Sequence, residues 1–206
     1  ILKERDVAFA KHIRKSFDES SYHQQFYTYT AKIVTEHVKE IAVLLSPLMK
    51  LEISFQTLNN QVIKNIQRTN MKFDRFIETL SWARKNRVTT STEMIFGFPD
   101  ETLDSYLNGI ETLMRAGVDR INSYNLKLLS GIDMSTQKAR IQQKYKIMYR
   151  LPERCYGVYG GKVVSEAEQI IVSSKSFTFE DYQIVRKYGL FLEIAYGSGY
   201  LSGLIK

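Results

Sequence analysis

The segment Met94–Thr102 reads MIFGFPDET, and it decides the fold class. Apolar residues come first, glycine and proline follow at positions 97 and 99, and two acidic residues precede Thr102. Thr102 is a favourable N-cap, and Asp104 lies where an acidic residue stabilises the first turn of a helix. The segment therefore predicts a strand that leads directly into a helix, the position at which α/β proteins place functional loops.

The same alternation of strands and helices extends to both sides of this segment. Apolar spacing predicts helices over residues 6–17, 32–45, 60–67, 73–86, 103–117 and about 179–195. It predicts strands over residues 26–30, 51–57, 90–98 and 120–129, with further strands around a turn within 162–174. Four strands that alternate with helices indicate βα units and a parallel sheet.

Polar residues line one face of two successive predicted strands. On the first strand, Glu52, Ser54 and Gln56 alternate with apolar residues. On the second, Glu93 faces one side of the strand and the apolar Met94 faces the other. An open sheet covered by helices on both faces has nearly continuous apolar strands, so this alternation favours a wall facing a lumen that contains a ligand. We therefore predict a partial TIM-type (β/α) barrel of about four parallel strands with outer helices in residues 1–135, and a C-terminal α+β extension in residues 136–206.

Length and composition limit the class of protein. The chain has 206 residues, of which 44% are hydrophobic, enough for one sizeable core. It contains no apolar run of membrane-spanning length and no secretory signal, and its one cysteine, Cys155, excludes an internal disulfide, so we expect a cytoplasmic location. Helical spacing begins close to Ile1, which leads us to expect a piece of a longer protein.

The net charge of +7 leaves two interpretations open. RNA is one acidic partner that a basic chain attracts, and an RNA-binding module is one alternative function. The one dense basic run extends from Lys138 to Arg150, and we interpret it as a solvated helix face. A structural or interaction domain is the other alternative. The three histidines have no metal-ligand spacing, and neither a GxGxxG nor a Walker motif is present.

Several polar residues near the ends of the strands are candidates for ligand binding. A glycine at position 97 lets a planar ligand approach the backbone, because it has no Cβ. Glu93, predicted to face the lumen, can accept hydrogen bonds from ligand hydroxyls. Gln56, beside Ser54, offers an amide to the same ligand, and Arg68 can clamp a carboxylate with two hydrogen bonds.

Two stretches together resemble a known enzyme family. The segment 51–70, LEISFQTLNNQVIKNIQRTN, followed by the segment 93–106, EMIFGFPDETLDSY, resembles the second half of the core of radical S-adenosylmethionine (SAM) enzymes. In that family a strand ending in Gln-Ser or Gln-Thr leads to a short helix that closes on Arg-x-Asn, and a later strand ends in a Gly-hydrophobic-Pro turn before Glu-Thr. The resemblance covers about residues 1–135. It is strongest to the branch with cobalamin-dependent and methylthiotransferase-like members. The stretch 149–162 and the helix after Phe179 also resemble the segment that follows the core in the cobalamin-associated members.

The resemblance implies a role for each matching position. Gln56 and Glu93 match residues that hydrogen-bond the SAM ribose, although the family usually has Asp where Glu93 stands. Arg68 matches a position near the methionyl carboxylate, and Gly97 matches the glycine beneath the adenine. The end of the last strand matches the backbone that contacts the adenine edge in the family; its residues are Lys127, Leu128 and Leu129.

One family feature is missing from this chain. Radical SAM enzymes hold a [4Fe-4S] cluster with three cysteines of a CxxxCxxC loop, and Cys155 alone cannot replace that loop. Either a longer parent supplies the cluster ligands outside this chain, or this chain is a degenerate relative that lacks them; we expect the longer parent. That parent would cleave SAM reductively to a 5′-deoxyadenosyl radical, or transfer a methyl group if cobalamin is used, with an unknown small molecule as substrate. We do not expect this piece alone to be active, and we expect its exposed barrel edge to promote a dimer.

Overall fold

The computed structural model describes residues 3–20, 28, 34–46, 48–152 and 155–198. The helices of these residues are α1 (Lys3–Glu19), α2 (Glu36–Leu44), α3 (Asn60–Asn65), α4 (Phe73–Lys85), α5 (Leu103–Ala116), α6 (Gln137–Gln142) and α7 (Phe179–Phe191). The strands are β1 (Leu51–Glu52), β2 (Thr90–Phe96), β3 (Arg120–Asn125), β4 (Lys146–Arg150), β5 (Tyr156–Tyr159), β6 (Lys162–Ser165) and β7 (Glu168–Ser173). None of these helices is long and apolar enough to cross a membrane.

A parallel sheet forms the centre of the fold. Its strand order is β1-β2-β3, with Leu51 beside Thr90 and Glu93 beside Asn122. The predicted α/β class with parallel strands is confirmed. The predicted number of four strands is not, because the sheet has three strands in the described part of the chain and the strand expected at residues 26–30 falls almost wholly outside it.

Helix α5 shows why the segment around Gly97 folds as it does. The hydroxyl of Thr102 accepts a hydrogen bond from the Ser105 amide, as expected of an N-cap. The helix ends at Gly117, whose φ of +80° is the left-handed conformation that glycine adopts without steric cost. Both predicted ends of this helix are confirmed, and its apolar side packs on the sheet through Tyr106 and Ile110.

The two faces of the sheet differ as the alternation predicts. Leu51, Ile53 and Phe55 are at most 2% exposed and belong to the main core beneath the helices, whereas Glu52 and Ser54 on the opposite face are only partly buried. Burial of one apolar face drives the helices onto the sheet. The opposite, polar face is therefore the one that can present side chains to a ligand.

The C-terminal part of the chain packs on the same core. Residues Ile171, Phe177 and Val185 belong to the cluster that contains the sheet residues, so one core extends across the predicted boundary at residue 135. Strand β7 pairs antiparallel with β4, and Ile170 forms an antiparallel bridge with Lys127, just after β3. The division into two domains remains a prediction.

Helix α7 and the π-helical turn after it (Leu192–Tyr196) run alongside β3 in the opposite direction. Arg186 donates a hydrogen bond of 3.3 Å to Asn125 at the end of the strand, and Glu193 forms an ion pair of 3.2 Å with Arg120 at its beginning. Between these contacts Gly189 lies against Ser123, where an added Cβ would be 3.3 Å from the hydroxyl oxygen. Helix α7 and the turn after it therefore contact β3 from its beginning to its end.

The basic run is not the helix face that we predicted. Lys138 and Arg140 lie on α6, but Lys146 and Arg150 lie on β4, after a turn at Lys144 with a φ of +53°. The change of structure occurs because the run has no apolar stripe of helical period to continue α6. Its residues do not share one helical face.

Candidate functional site

A polar cluster lies on the open face of the sheet, near the carboxyl end of β1. The Ser54 hydroxyl is 3.1 Å from Oε1 of Glu52 and 3.3 Å from Oε2 of Glu93, so it joins two neighbouring parallel strands. A hydroxyl has one proton, so the two carboxylates compete for it. Burial raises the pKa of Glu52, the nearby Glu93 charge raises it further, and the hydrogen bond from Ser54 partly offsets both effects. Such paired acceptors suit a ligand with several hydroxyl or ammonium donors.

Gln56 has an unusual backbone conformation directly beyond this cluster. Its φ is +66°, a left-handed value that is uncommon for residues other than glycine, asparagine and aspartate. Its backbone amide donates to the backbone carbonyl of Glu93 at 2.8 Å, and its backbone carbonyl accepts from the amide of Ile95 at 2.7 Å. Because the pairing of β1 with β2 shifts by one residue between Glu52 and Gln56, the strand ends in a bulge.

Arg68 lies over the end of β1 and binds the side chain of Gln56. Its guanidinium donates a short hydrogen bond to Oε1 of Gln56, although Arg68 itself is exposed. The structure thus brings Ser54 together with Glu93, and Gln56 together with Arg68. Ser54 and Gln56 lie two residues apart, just beyond the end of β1. Four of the predicted site residues are neighbours in space, and the role of each in ligand binding remains a prediction.

Gly97 ends β2 with a φ of +108°, a conformation nearly restricted to glycine. A Cβ built on Gly97 would be 3.2 Å from Cβ of Leu126 and 3.8 Å from the ring of Phe177. The structure therefore gives this glycine a packing reason, the close approach of Leu126, in addition to the conformational one. Its predicted position beneath an adenine is not tested by this contact.

The predicted adenine-reading backbone is partly engaged by strand β7. The Leu128 amide donates to the Gln169 carbonyl at 2.9 Å, and the ammonium of Lys127 forms an ion pair with Glu168. The hydrogen bond from Lys127, helped by Arg150, lowers the pKa of Glu168. Leu129 is 61% exposed. Sequence reasoning did not foresee this pairing, because nothing local to Lys127 indicates a strand some forty residues later.

Sequence reasoning also missed Glu101, a fully buried acidic residue (0% exposed). The Thr57 hydroxyl donates to its Oε2 at 2.6 Å, and the Ser105 hydroxyl donates to its Oε1. Charged residues are seldom completely buried unless they are paired or hydrogen-bonded in this way. No apolar periodicity separates Glu101 from its exposed-looking neighbour Asp100. The signal that could have singled it out is the family pattern, in which Glu-Thr follows the Gly-hydrophobic-Pro turn.

A cavity of about 730 Å³ lies on the helix side of the sheet, between α3, the segment 68–73 and α5. Phe55 and Gly109 lie in its wall, and Arg68, Asn70 and Ser105 add polar groups. It is separate from the cluster of Ser54 and Glu93, which lies on the opposite face. Arg68 is common to the cavity and to the Gln56 contact.

A curated relative provides the decisive comparison. The cobalamin-dependent radical SAM methyltransferase TokK of Streptomyces tokunonensis is 30% identical over 122 residues, which cover 59% of this chain. This chain is related to the cobalamin-associated radical SAM enzymes. The predicted relationship is thereby confirmed. No family model matches the chain, and the matched region spans 18% of the length of TokK.

Solved structures of radical SAM enzymes are also similar to parts of the chain. Coproporphyrinogen III oxidase (HemN) from Escherichia coli has a TM-score of 0.39 at 18% identity, over 52% of this chain and 23% of that one. The radical SAM methyltransferase TsrM from Kitasatospora setae, with cobalamin and a [4Fe-4S] cluster bound, has a TM-score of 0.44 at 13% identity, over 59% of this chain and 23% of that one.

The described residues of this radical SAM relative do not form a cluster-binding site. Cys155 is a half-buried free cysteine in the C-terminal part, and no group of three His, Cys, Asp or Glu side chains is placed to hold a metal ion in the described ranges. Three thiolates are what a radical SAM cluster needs. The donor set of this chain therefore does not fit the cluster.

Proposed function

We propose that this chain forms part of the SAM-binding portion of a cobalamin-associated radical SAM enzyme, within a partial (β/α) barrel completed by other residues of a longer protein. In that protein the reaction would be reductive cleavage of SAM or methyl transfer to a small molecule. The cluster ligands would lie outside this chain, whose donor set lacks them.

The observation that carries the proposal is the polar strand end on the open face of the sheet. Glu93 in β2 and Gln56 just beyond β1 offer acceptor oxygens on neighbouring strands, as the two cis hydroxyls of a ribose require. The Arg68 cation lies beside Gln56, where a carboxylate-bearing ligand would find a charged partner. These residues fit SAM, whereas no residue of this chain is assigned to cobalamin.

The extent of the site follows from the same proposal. The polar faces of β1 and β2 would line the lumen, the strand expected at residues 26–30 would be a fourth strand of the barrel, and residues 136–206 would be the extension. Gly97 and the backbone of Lys127 to Leu129 would lie on the adenine side. The pairing of Leu128 with β7 requires that an adenine contact there uses backbone groups other than the Leu128 amide.

A binding experiment on the complete protein tests the proposal. Glu93→Ala should weaken SAM binding at least tenfold, because a hydrogen bond to a charged acceptor contributes about 1.5–3 kcal/mol. Iron content should not change, since no cluster ligand is touched. SAM affinity is measured by equilibrium dialysis and iron by a colorimetric assay.

Glu111→Ala is the matched control, because Glu111 is an exposed acid on α5 whose ion pair is with Arg115 in the same helix. The control should bind SAM like the unmodified protein. Equal SAM affinity in the Glu93 and Glu111 variants would remove Glu93 from the site and with it the main support for the proposal.

A further inference from the structure

The buried carboxylate of Glu101 closes a ring of hydrogen bonds. Its two oxygens accept hydrogen bonds from the hydroxyls of Thr57 and Ser105. Those hydroxyls in turn accept from one residue, Asn59, whose backbone amide is 3.1 Å from the Thr57 oxygen and whose side-chain amide is 2.9 Å from the Ser105 oxygen. The ring joins the end of β1, the N-cap of α3, the loop after β2 and the first turn of α5.

The directions of these bonds require an acceptor at the centre. Each hydroxyl has a single proton, which it donates to Glu101, and its oxygen accepts a hydrogen bond from Asn59. Both carboxylate oxygens therefore act as acceptors. A glutamine in this place would present an NH₂ group to one hydroxyl oxygen that already faces an Asn59 donor. An almost isosteric change would thus disturb the ring.

The ring is adjacent to two strand ends of the proposed site, those of β1 and β2. Thr57 follows Gln56 directly, and its carbonyl accepts a hydrogen bond of 2.8 Å from Asn70, two residues after Arg68. On the other side, Glu101 is separated from Gly97 only by the turn 98–100, and its amide donates to the Phe98 carbonyl at 3.1 Å. The segments that carry Gln56, Arg68 and Gly97 are therefore held by one group of connected hydrogen bonds.

From this arrangement we infer that Glu101 is a positioning residue for the SAM site: it touches no ligand, but its carboxylate, which accepts from Thr57 and Ser105, fixes the β1 end relative to the loop after β2. The inference rests on the proposed function. Small displacements of a binding group weaken a polar contact strongly, so loosening the ring reduces SAM affinity in protein that is still folded.

The test compares SAM dissociation constants of variants of the complete protein well below their melting temperatures. Glu101→Gln and Thr57→Val should each weaken SAM binding about tenfold or more. Asp100→Asn is the matched control, because it makes the same chemical change one residue away, at a partly exposed acid that pairs with Lys175. Its SAM affinity should remain unchanged.

Two further measurements separate positioning from a loss of stability. Leu113→Ala removes buried volume from α5 and lowers the melting temperature, yet should leave the SAM affinity of the folded protein unchanged. The double variant Glu101→Gln with Gln56→Ala should bind SAM only slightly more weakly than either single variant, because both act through the same contact.

The outcomes distinguish this inference from the proposed function. If Glu101→Gln binds SAM normally while Gln56→Ala and Glu93→Ala bind it weakly, the positioning role is wrong and the SAM site stands. If Leu113→Ala weakens SAM binding as much as Glu101→Gln does, or the double variant is fully additive, the role is only structural. Normal binding by all of these variants would overturn the inference and the proposed function together.

Discussion

The left-handed backbone of Gln56 predicts a reversal of the usual order of alanine and glycine. At an ordinary strand position glycine is less stable than alanine by about 0.5–1 kcal/mol, because it loses more conformational entropy on folding. At φ +66° a residue with a Cβ costs about 1–2 kcal/mol more than glycine. The two effects oppose each other, so Gln56→Gly should be more stable than Gln56→Ala by about 0.5–1 kcal/mol.

Both variants lose the same contact, the hydrogen bond from Arg68, so it cancels from the comparison. The free energy of unfolding is measured by urea titration of this chain, monitored by circular dichroism. Ser54 provides the control two residues earlier in the same segment, since its φ is not in the positive range. There Ser54→Ala should be more stable than Ser54→Gly by about 0.5–1 kcal/mol.

The reasoning would be refuted if alanine were more stable than glycine at both positions. Gln56 would then have an ordinary extended backbone, and β1 would pair with β2 without the bulge. A reversal at Gln56 alone would establish that the end of β1 is held in a conformation that its sequence does not favour, as is common at functional sites.

Two further predictions concern the packing around the sheet. Gly97→Ala should lower the free energy of unfolding by about 1–3 kcal/mol, because it adds a Cβ at φ +108° and 3.2 Å from Leu126. The control is Gly131→Ala, where φ is also positive (+86°) but no heavy atom lies within 4 Å of the added Cβ, so it shares the backbone strain without the contact. Thermal unfolding compares the two variants, and equal melting temperatures would contradict a contribution from the Leu126 contact. Burial raises the pKa of Tyr196 to about 12, so the stability contributed by its neutral hydroxyl is present below pH 10 and is lost as the pH rises toward 12. Tyr196→Phe removes the hydrogen bond to the Val118 carbonyl and should lower the free energy of unfolding by about 1 kcal/mol at pH 7. In urea titrations above pH 10 the variant should lose less stability than the unmodified protein. An equal loss in both proteins would contradict a buried hydroxyl.

The sequence predicted those parts of the fold that depend on local chemistry. Thr102 and Gly117 mark both ends of α5, since capping and left-handed glycine are properties of single residues. The alternation around Ser54 correctly separated the buried face of β1 from its polar face, because a strand places successive side chains on opposite sides. Together these features also placed four candidate residues at one strand end.

The parts that the sequence did not predict depend on long-range contacts. The antiparallel bridge of Lys127 with Ile170 joins residues that are distant in sequence, and neither has a pattern that selects the other. The burial of Glu101 depends on hydroxyls from two other segments, and the backbone of Gln56 on its place beside β2. Strand β4 escaped prediction because its side chains are mostly exposed and include two basic residues.

The three-stranded sheet has an edge at β1 with which no strand of the described residues pairs. Because β7 pairs antiparallel just beyond β3, the β1 edge is the one at which we expect a further parallel strand to join the described sheet. Two separately produced polypeptides could therefore reassemble into one barrel if the second supplies strands for the β1 edge. The same geometry makes the β1 edge the natural place to divide such an enzyme for fragment complementation.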